Sequence, residues 1–206
     1  MVDNSSLSGY ADIGSIPNRK GKDRMKQRPV EEMALSAFFA ALTAVFSQIS
    51  IPLQPVPINL ATLSVCLAGG VLGAGPAAVS QGIYVLLGFI GLPVFAGMTG
   101  GAGMVAGPTG GYLIGYVAEA WLIGFLRGKT GGGCVPTALS MAAGSVLLYA
   151  LGTAWFMVST KTGFIASLWL CVLPFLIGDA LKIAAASAAA PRLFRELRRM
   201  REGRAG

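Results

Sequence analysis

A run of apolar residues from Ala166 to about Ala190 carries an acid and a base inside it. A helix needs roughly 20 apolar residues to cross a bilayer, so this run reads as transmembrane. Asp179 and Lys182 stand three residues apart, which puts both on one face of a helix. Ionisable groups at membrane depth are costly unless paired or wet, and they commonly mark a pathway or a binding site. Pro174 has no N–H, so the carbonyl of Leu170 is expected to lose its helical partner. Gly178 leaves room for a neighbour or a ligand. The competing reading is a pair that neutralises itself and only helps helices to pack.

The rest of the chain agrees with a membrane location. Of 206 residues, 54% are hydrophobic and only 12% are charged. That composition and length suit one domain of about six helices, an all-α polytopic membrane bundle. Histidine is absent, which removes Ser-His-Asp and Cys-His triads, His-ligated metal and the usual proton shuttle. The three cysteines are too scattered for a zinc site or a disulfide framework. The formal charge is +7, but 12 of the 16 Lys and Arg residues lie in two segments, Arg19 to Arg28 and Arg192 to Arg204. Basic clusters beside spans read as cytoplasmic flanks on anionic lipid rather than a nucleic-acid surface.

Residues 1–29 are polar and then basic, and are expected to form a largely disordered cytoplasmic tail without a secretory signal core. The six-helix domain is expected over residues 30–191, with a basic cytoplasmic tail over 192–206. The first span runs from about Val30 to Ile51. A proline-rich turn follows, from Pro52 to Pro57. Span two, about Ile58 to Gly73, is short. Span three covers about Ala77 to Leu92. A Gly-rich connection from Pro93 to Pro108 is too irregular to face lipid, so it should be buried or line a cavity. Spans four, five and six are expected near Thr109–Leu126, Pro136–Val158 and Ala166–Ala190. Six spans place both termini on one side, and the basic flanks make that side the cytoplasm.

Several motifs carry competing readings. Gly124 to Thr130 is one residue short of a phosphate loop and follows a span rather than a strand, so nucleotide binding is not expected there. The Gly-rich loop ending in Gly107 to Tyr112 runs into a helix N-terminus. It could hold an anion, or simply let two helices pack closely. Glu119 lies about 10 Å into span four, at 1.5 Å per residue, and can meet Lys182 or Asp179 inside the bundle. Tyr112, Trp155 and Asn59 sit near outer span ends, where they either form an interfacial belt or line a ligand site. Gln81 falls in the inner half of span three and is left out of an outward-facing site. Ala37 and Ala41 form a small strip on span one, suited to close helix–helix contact within this chain or with a partner.

Taken in order, certain pieces resemble a known family: Ile51-Pro52 with its following prolines, Tyr84 to Gly97, Gly107 to Leu113, Gly152 to Trp155, and Leu173 to Lys182. The chain resembles the biotin-specific S components, BioY-type, of energy-coupling-factor transporters. The resemblance covers about residues 30–190. It implies a six-helix protein with an outward-facing pocket that takes biotin as transported substrate, with no cofactor and no enzymatic activity. It implies partners as well: a transmembrane coupling subunit and two cytoplasmic ATPase subunits. The long polar N-terminus and Ile177, where the family often has proline, depart from the pattern.

The residues expected to contact biotin are Asp179, Lys182, Glu119, Asn59, Phe95, Tyr112 and Trp155, and Ala37 and Ala41 are expected at the partner interface. Asp179 can accept ureido N–H bonds and Lys182 can donate to the ureido carbonyl or the carboxylate. A secondary transporter of another small vitamin-like molecule is the alternative reading.

The expected topology has a direct check. A cysteine placed at Lys161 should react with an impermeant thiol reagent in whole cells, while native Cys134 should not. Labelling of Cys134 from outside would overturn the six-span count.

Overall fold

The computed structural model describes residues 19–51, 56–130 and 133–203. It is helical almost throughout. The elements are α1 (Arg19–Gln48), β1 (Ser50–Ile51), β2 (Ile58–Asn59), α2 (Ala61–Leu72), α3 (Ala74–Phe89), α4 (Ala102–Ala106), α5 (Gly110–Thr130), α6 (Cys134–Thr160), α7 (Phe164–Cys171) and α8 (Leu173–Gly203). Among the described residues, three helices are long and apolar enough to cross a membrane: Val30–Gln48 within α1, Cys134–Thr160, and Leu173–Met200 within α8. Ala61–Leu72 and Ala74–Phe89 are apolar but shorter.

Several boundaries differ from expectation. α1 begins at Arg19, not near Val30, so the basic segment before the first span continues the span helix. Residues 1–18 of the expected tail lie outside the described residues, as do 52–55, 131–132 and 204–206. At the other end α8 runs on to Gly203, through Pro191 and through most of the expected C-terminal tail. Its exposed end is laced by Arg199–Glu196 at 3.0 Å and Arg198–Glu202 at 2.8 Å, pairs with helical spacing. The proline-rich turn is flanked by a short antiparallel ladder that pairs Ser50 with Asn59 and Ile51 with Ile58. The Gly-rich connection is folded rather than loose. It contains α4 and an isolated bridge between Phe95 and Thr99.

The expected sixth span is two helices. α7 ends at Cys171, Val172 leaves helical geometry, and α8 starts at Leu173. Pro174 can donate no bond to Leu170, and the N–H of Phe175 turns to the carbonyl of Val172 at 3.0 Å. That leaves the Cys171 carbonyl without its regular helical donor. The hydroxyl of Tyr112, from α5, donates to it at 3.1 Å. The break is therefore stabilised by a side chain from another helix.

α5 lies at the centre of the bundle and packs on α2, α3 and α6. Glycine makes its approach possible. A Cβ on Gly124 would sit 2.4 Å from the backbone nitrogen of Ala74, at the α2–α3 turn. A Cβ on Gly144 of α6 would sit 2.6 Å from the Ile123 side chain. Lipid supplies little hydrophobic force between helices, so such close packing carries the association.

Candidate functional site

The site begins with the ion pair that the sequence singled out. Lys182 Nζ lies 2.8 Å from Asp179 Oδ1. The two residues are only 8% and 5% exposed. Lys182 offers three N–H donors, and the structure supplies three acceptors: Asp179 Oδ1, the Thr62 hydroxyl at 2.9 Å and the Asn59 carbonyl at 2.6 Å. Asp179 is held from three sides. Oδ1 accepts from Lys182 and from the Thr62 hydroxyl at 3.2 Å, and Oδ2 accepts a short bond from the Tyr149 hydroxyl. The carbonyl that Lys182 reaches belongs to β2, in the proline-turn ladder, so the pair touches the loop layer rather than neighbouring helices alone.

These groups form the polar head of a cavity of about 700 Å³, its open mouth included. The walls are aromatic and aliphatic: Tyr84, Phe95, Tyr112, Tyr116, Leu148 and Phe175. Phe95 is fixed edge-on to Tyr84, with ring centroids 5.5 Å apart. Its ring lies so close over α3 that a Cβ on Gly88 would meet it at 2.0 Å. Tyr112 crosses α6 in the space left by Gly152, where a Cβ would meet the ring at 2.3 Å. The Tyr112 hydroxyl is also 3.3 Å from Thr153 Oγ1. Asn59 lies just before α2, its Oδ1 accepting the Ala61 N–H at 3.0 Å. An apolar slot with hydrogen-bonding groups gathered at one end suits a flat or elongated ligand with a polar head.

Of the seven expected ligand residues, Asp179, Lys182, Asn59, Phe95 and Tyr112 line this cavity. Glu119 does not. It is fully buried between helices, with Oε1 accepting from Ser145 at 3.1 Å and from Cys66 at 3.8 Å. It therefore ties α5 to α6 and α2, and does not bond Lys182, which Asp179 has already claimed. Trp155 is also outside. It is 39% exposed and donates its indole N–H to the Gly107 carbonyl at 2.9 Å. It clamps the Gly-rich loop from the far side, where Gly111 has no room for a side chain: a Cβ there would meet Trp155 at 2.2 Å. The start of α5 is no open anion cradle either. The N–H of Gly110 bonds the Gly107 carbonyl, and those of Tyr112 and Leu113 bond the Thr109 carbonyl. Gln81 sits away from the cavity, as expected, bonding Thr43 at 3.3 Å and Ser80 at 3.1 Å.

Thr62 and Tyr149 were not legible beforehand. Each is one of several hydroxyl residues in an apolar helix, and only the fold brings it to Asp179. The one sequence clue was a hydroxyl in each of two spans facing a third that carries charge. On α1, Ala37 and Ala41 lie on the exposed face, opposite the buried Ser36, Phe39, Ala40 and Thr43.

The sequence model of the BioY family matches residues 19–199. The probable biotin transporter BioY of Pyrococcus horikoshii is 40% identical over 163 residues, covering 79% of this chain and 96% of that protein. The biotin transporter BioY of Thermotoga maritima is 38% identical over 165 residues, covering 80% of this chain and 96% of that protein. Among solved structures, the S-component for biotin from an ECF-type ABC transporter matches with a TM-score of 0.76 at 30% identity. That match covers 82% of this chain and 93% of the other.

The shared hydroxyl gives a test of the cluster without any ligand. Thr62→Val keeps the shape but leaves both buried charges short of a partner. It should lower unfolding stability by about 1–3 kcal/mol. Thr62→Ser, which keeps the hydroxyl, should recover most of that loss in the same thermal-unfolding measurement.

Proposed function

The chain belongs to the BioY family, and from that premise we propose that it captures biotin as the substrate-binding subunit of an energy-coupling-factor transporter. It is a multi-pass membrane protein that transports rather than catalyses. The observation that carries the ligand reading is the Asp179–Lys182–Thr62–Tyr149 cluster at the head of an aromatic cavity.

Biotin offers a ureido ring with two N–H donors and one carbonyl, a sulfur ring and a carboxylate tail. Asp179 accepts from ureido N–H groups, and Lys182 or Tyr149 donates to the ureido carbonyl. Lys182 equally matches the carboxylate, so both polar ends of biotin have a chemical partner in this cluster. Tyr84, Phe95 and Tyr112 cover the apolar rings. The cluster is internally paired before ligand arrives, so its side chains are already positioned and binding exchanges one partner for another. Preorganisation of that kind lowers the ordering cost of binding.

In this reading six helices cross the membrane, both termini lie in the cytoplasm and the cavity opens to the outside. The proline turn and the Gly-rich loop, which contribute Val56, Pro57, Asn59, Phe95 and Ala96 to the cavity, form its mouth. The exposed Ala37–Ala41 strip of α1 docks on a transmembrane coupling subunit. Two cytoplasmic ATPase subunits supply the energy.

Two experiments test this reading. Protein purified without added ligand should release biotin on denaturation, detected by mass spectrometry. Asp179→Asn and Lys182→Met should each weaken biotin binding by about thirty-fold to several-thousand-fold, the equivalent of about 2–5 kcal/mol for one partner of a desolvated charge pair. Unchanged affinity in both variants would reduce the pair to a structural salt bridge.

The docking strip has its own test. Ala37→Trp or Ala41→Trp should leave biotin binding by the isolated protein near normal, yet abolish co-purification with the coupling subunit and stop ATP-dependent uptake. Loss of biotin binding instead would mean that the strip packs within this chain.

A further inference from the structure

Further along α8 from the ligand cluster, a groove opens between the last turn of α5, the start of α6 and the α8 segment around Pro191. It is lined by Arg127, Arg192, Arg195, Gly133, Cys134 and Phe194. Arg127 is only 8% exposed, and its Nε is buried with no hydrogen-bond partner among the described residues. Its guanidinium lies over the Phe194 ring, 4.4 Å from the centroid, which fixes the side chain in place while its Nε finds no partner among the described residues. No ion pair among the described residues involves Arg127, Arg192 or Arg195, whereas Arg198 and Arg199 on the same helix each have a glutamate. Three guanidinium groups thus face one groove without a carboxylate.

Two further features point to an anion. α6 starts at this groove, and no side chain among the described residues caps its N-terminus. The first N–H groups of a long helix add positive potential there. Val135, Leu139 and Leu193 beside the groove are exposed and apolar. Charge beside an exposed apolar surface is the combination that a lipid headgroup and its acyl chains would match. Guanidinium forks match the oxygens of a phosphate, and basic pockets between membrane helices suit phospholipid headgroups.

We propose that this groove is a binding site for the phosphate headgroup of an anionic phospholipid, with Arg127 at its floor and Arg192 and Arg195 at its rim. The lipid supplies the anion that Arg127 lacks, and its acyl chains lie along the apolar surface of α6 and α8.

Native mass spectrometry of the full chain tests it, with phosphatidylglycerol and phosphatidylcholine of matched acyl chains as probes. The wild type should retain phosphatidylglycerol about tenfold better than phosphatidylcholine. Arg127→Gln with Arg192→Gln should remove that preference. Arg198→Gln with Arg199→Gln loses the same charge from the same region and should keep it. Should Arg127→Gln fail to give a cooperative thermal transition, Arg192→Gln with Arg195→Gln, both at exposed positions, carries the test with the same expected loss. Equal loss in the Arg198/Arg199 variant would mean diffuse charge attraction and would overturn the site. So would absence of any preference in the wild type. Displacement of bound phosphatidylglycerol by excess inorganic phosphate would leave a simple anion site and overturn the lipid assignment.

Discussion

A charge held inside a membrane bundle must find partners within the bundle, and much of this structure follows from meeting that demand for Lys182 and Asp179. Desolvation costs several kcal/mol for each ion, and Coulomb attraction repays it only when the remaining hydrogen-bonding capacity is also met. Here it is met: Lys182 spends its three donors on a carboxylate, a hydroxyl and a backbone carbonyl, and Asp179 draws donors from α2, α6 and its own helix. Each partner comes from a different element. Forming the pair therefore fixes how β2, α2 and α6 stand against α8. For the proposed ligand site the same network would set selectivity, because a ligand that displaces one partner must replace its hydrogen bonds in kind. One that cannot leaves a buried charge uncompensated.

The apolar half of the site depends on glycine in an equally direct way. Phe95 and Tyr112 are cavity walls, and each lies in a gap that exists only because the facing helix has no side chain there, at Gly88 and Gly152. Tyr112 does a second task at the break between α7 and α8, where its hydroxyl takes up the Cys171 carbonyl that the interrupted helix leaves. The broken helix is thus tied to the cavity wall. Irregular backbone at membrane depth is stable when protein groups satisfy it, and this break is satisfied by a residue of the site.

The sequence made much of this legible. The helical, largely apolar character of the chain and the approximate place of most helices followed from apolar runs and from the glycine and proline punctuation between them. The Asp179–Lys182 face followed from helical spacing, Phe95 and Tyr112 from the motif pieces around them, and Asn59 from its place near a span end. What stayed hidden depends on orientation about a helix axis. Trp155 and Tyr112 are both aromatic residues near span ends, yet one clamps a loop from outside and the other walls the cavity. Nothing in their spacing separates them. Glu119 was placed at a plausible depth, but depth alone could not say that it turns towards Ser145 and Cys66 rather than Lys182. Helix ends were misplaced where charge begins, because Arg19 to Arg28 and the segment after Pro191 read as polar tails although helix propensity carries through them.

α8 brings the molecule's polar demands together on one rod. Lys182 and Arg192 are ten residues apart, about 15 Å along a helix axis at 1.5 Å per residue. The first belongs to a cluster closed by the protein's own groups; the second belongs to a groove where basic side chains outnumber their partners. The difference follows from where each stands. Near the loop layer, backbone carbonyls and hydroxyls from neighbouring elements reach the charge. Around Pro191, α5 and α6 bring a guanidinium and helix N–H groups of the same sign, and no carboxylate among the described residues pairs with Arg127, Arg192 or Arg195. The lipid headgroup proposed for this groove supplies the missing opposite charge. On that proposal α8 is satisfied by protein groups around Lys182 and by bound lipid around Arg192, so removing lipid in detergent should cost the second region more than the first.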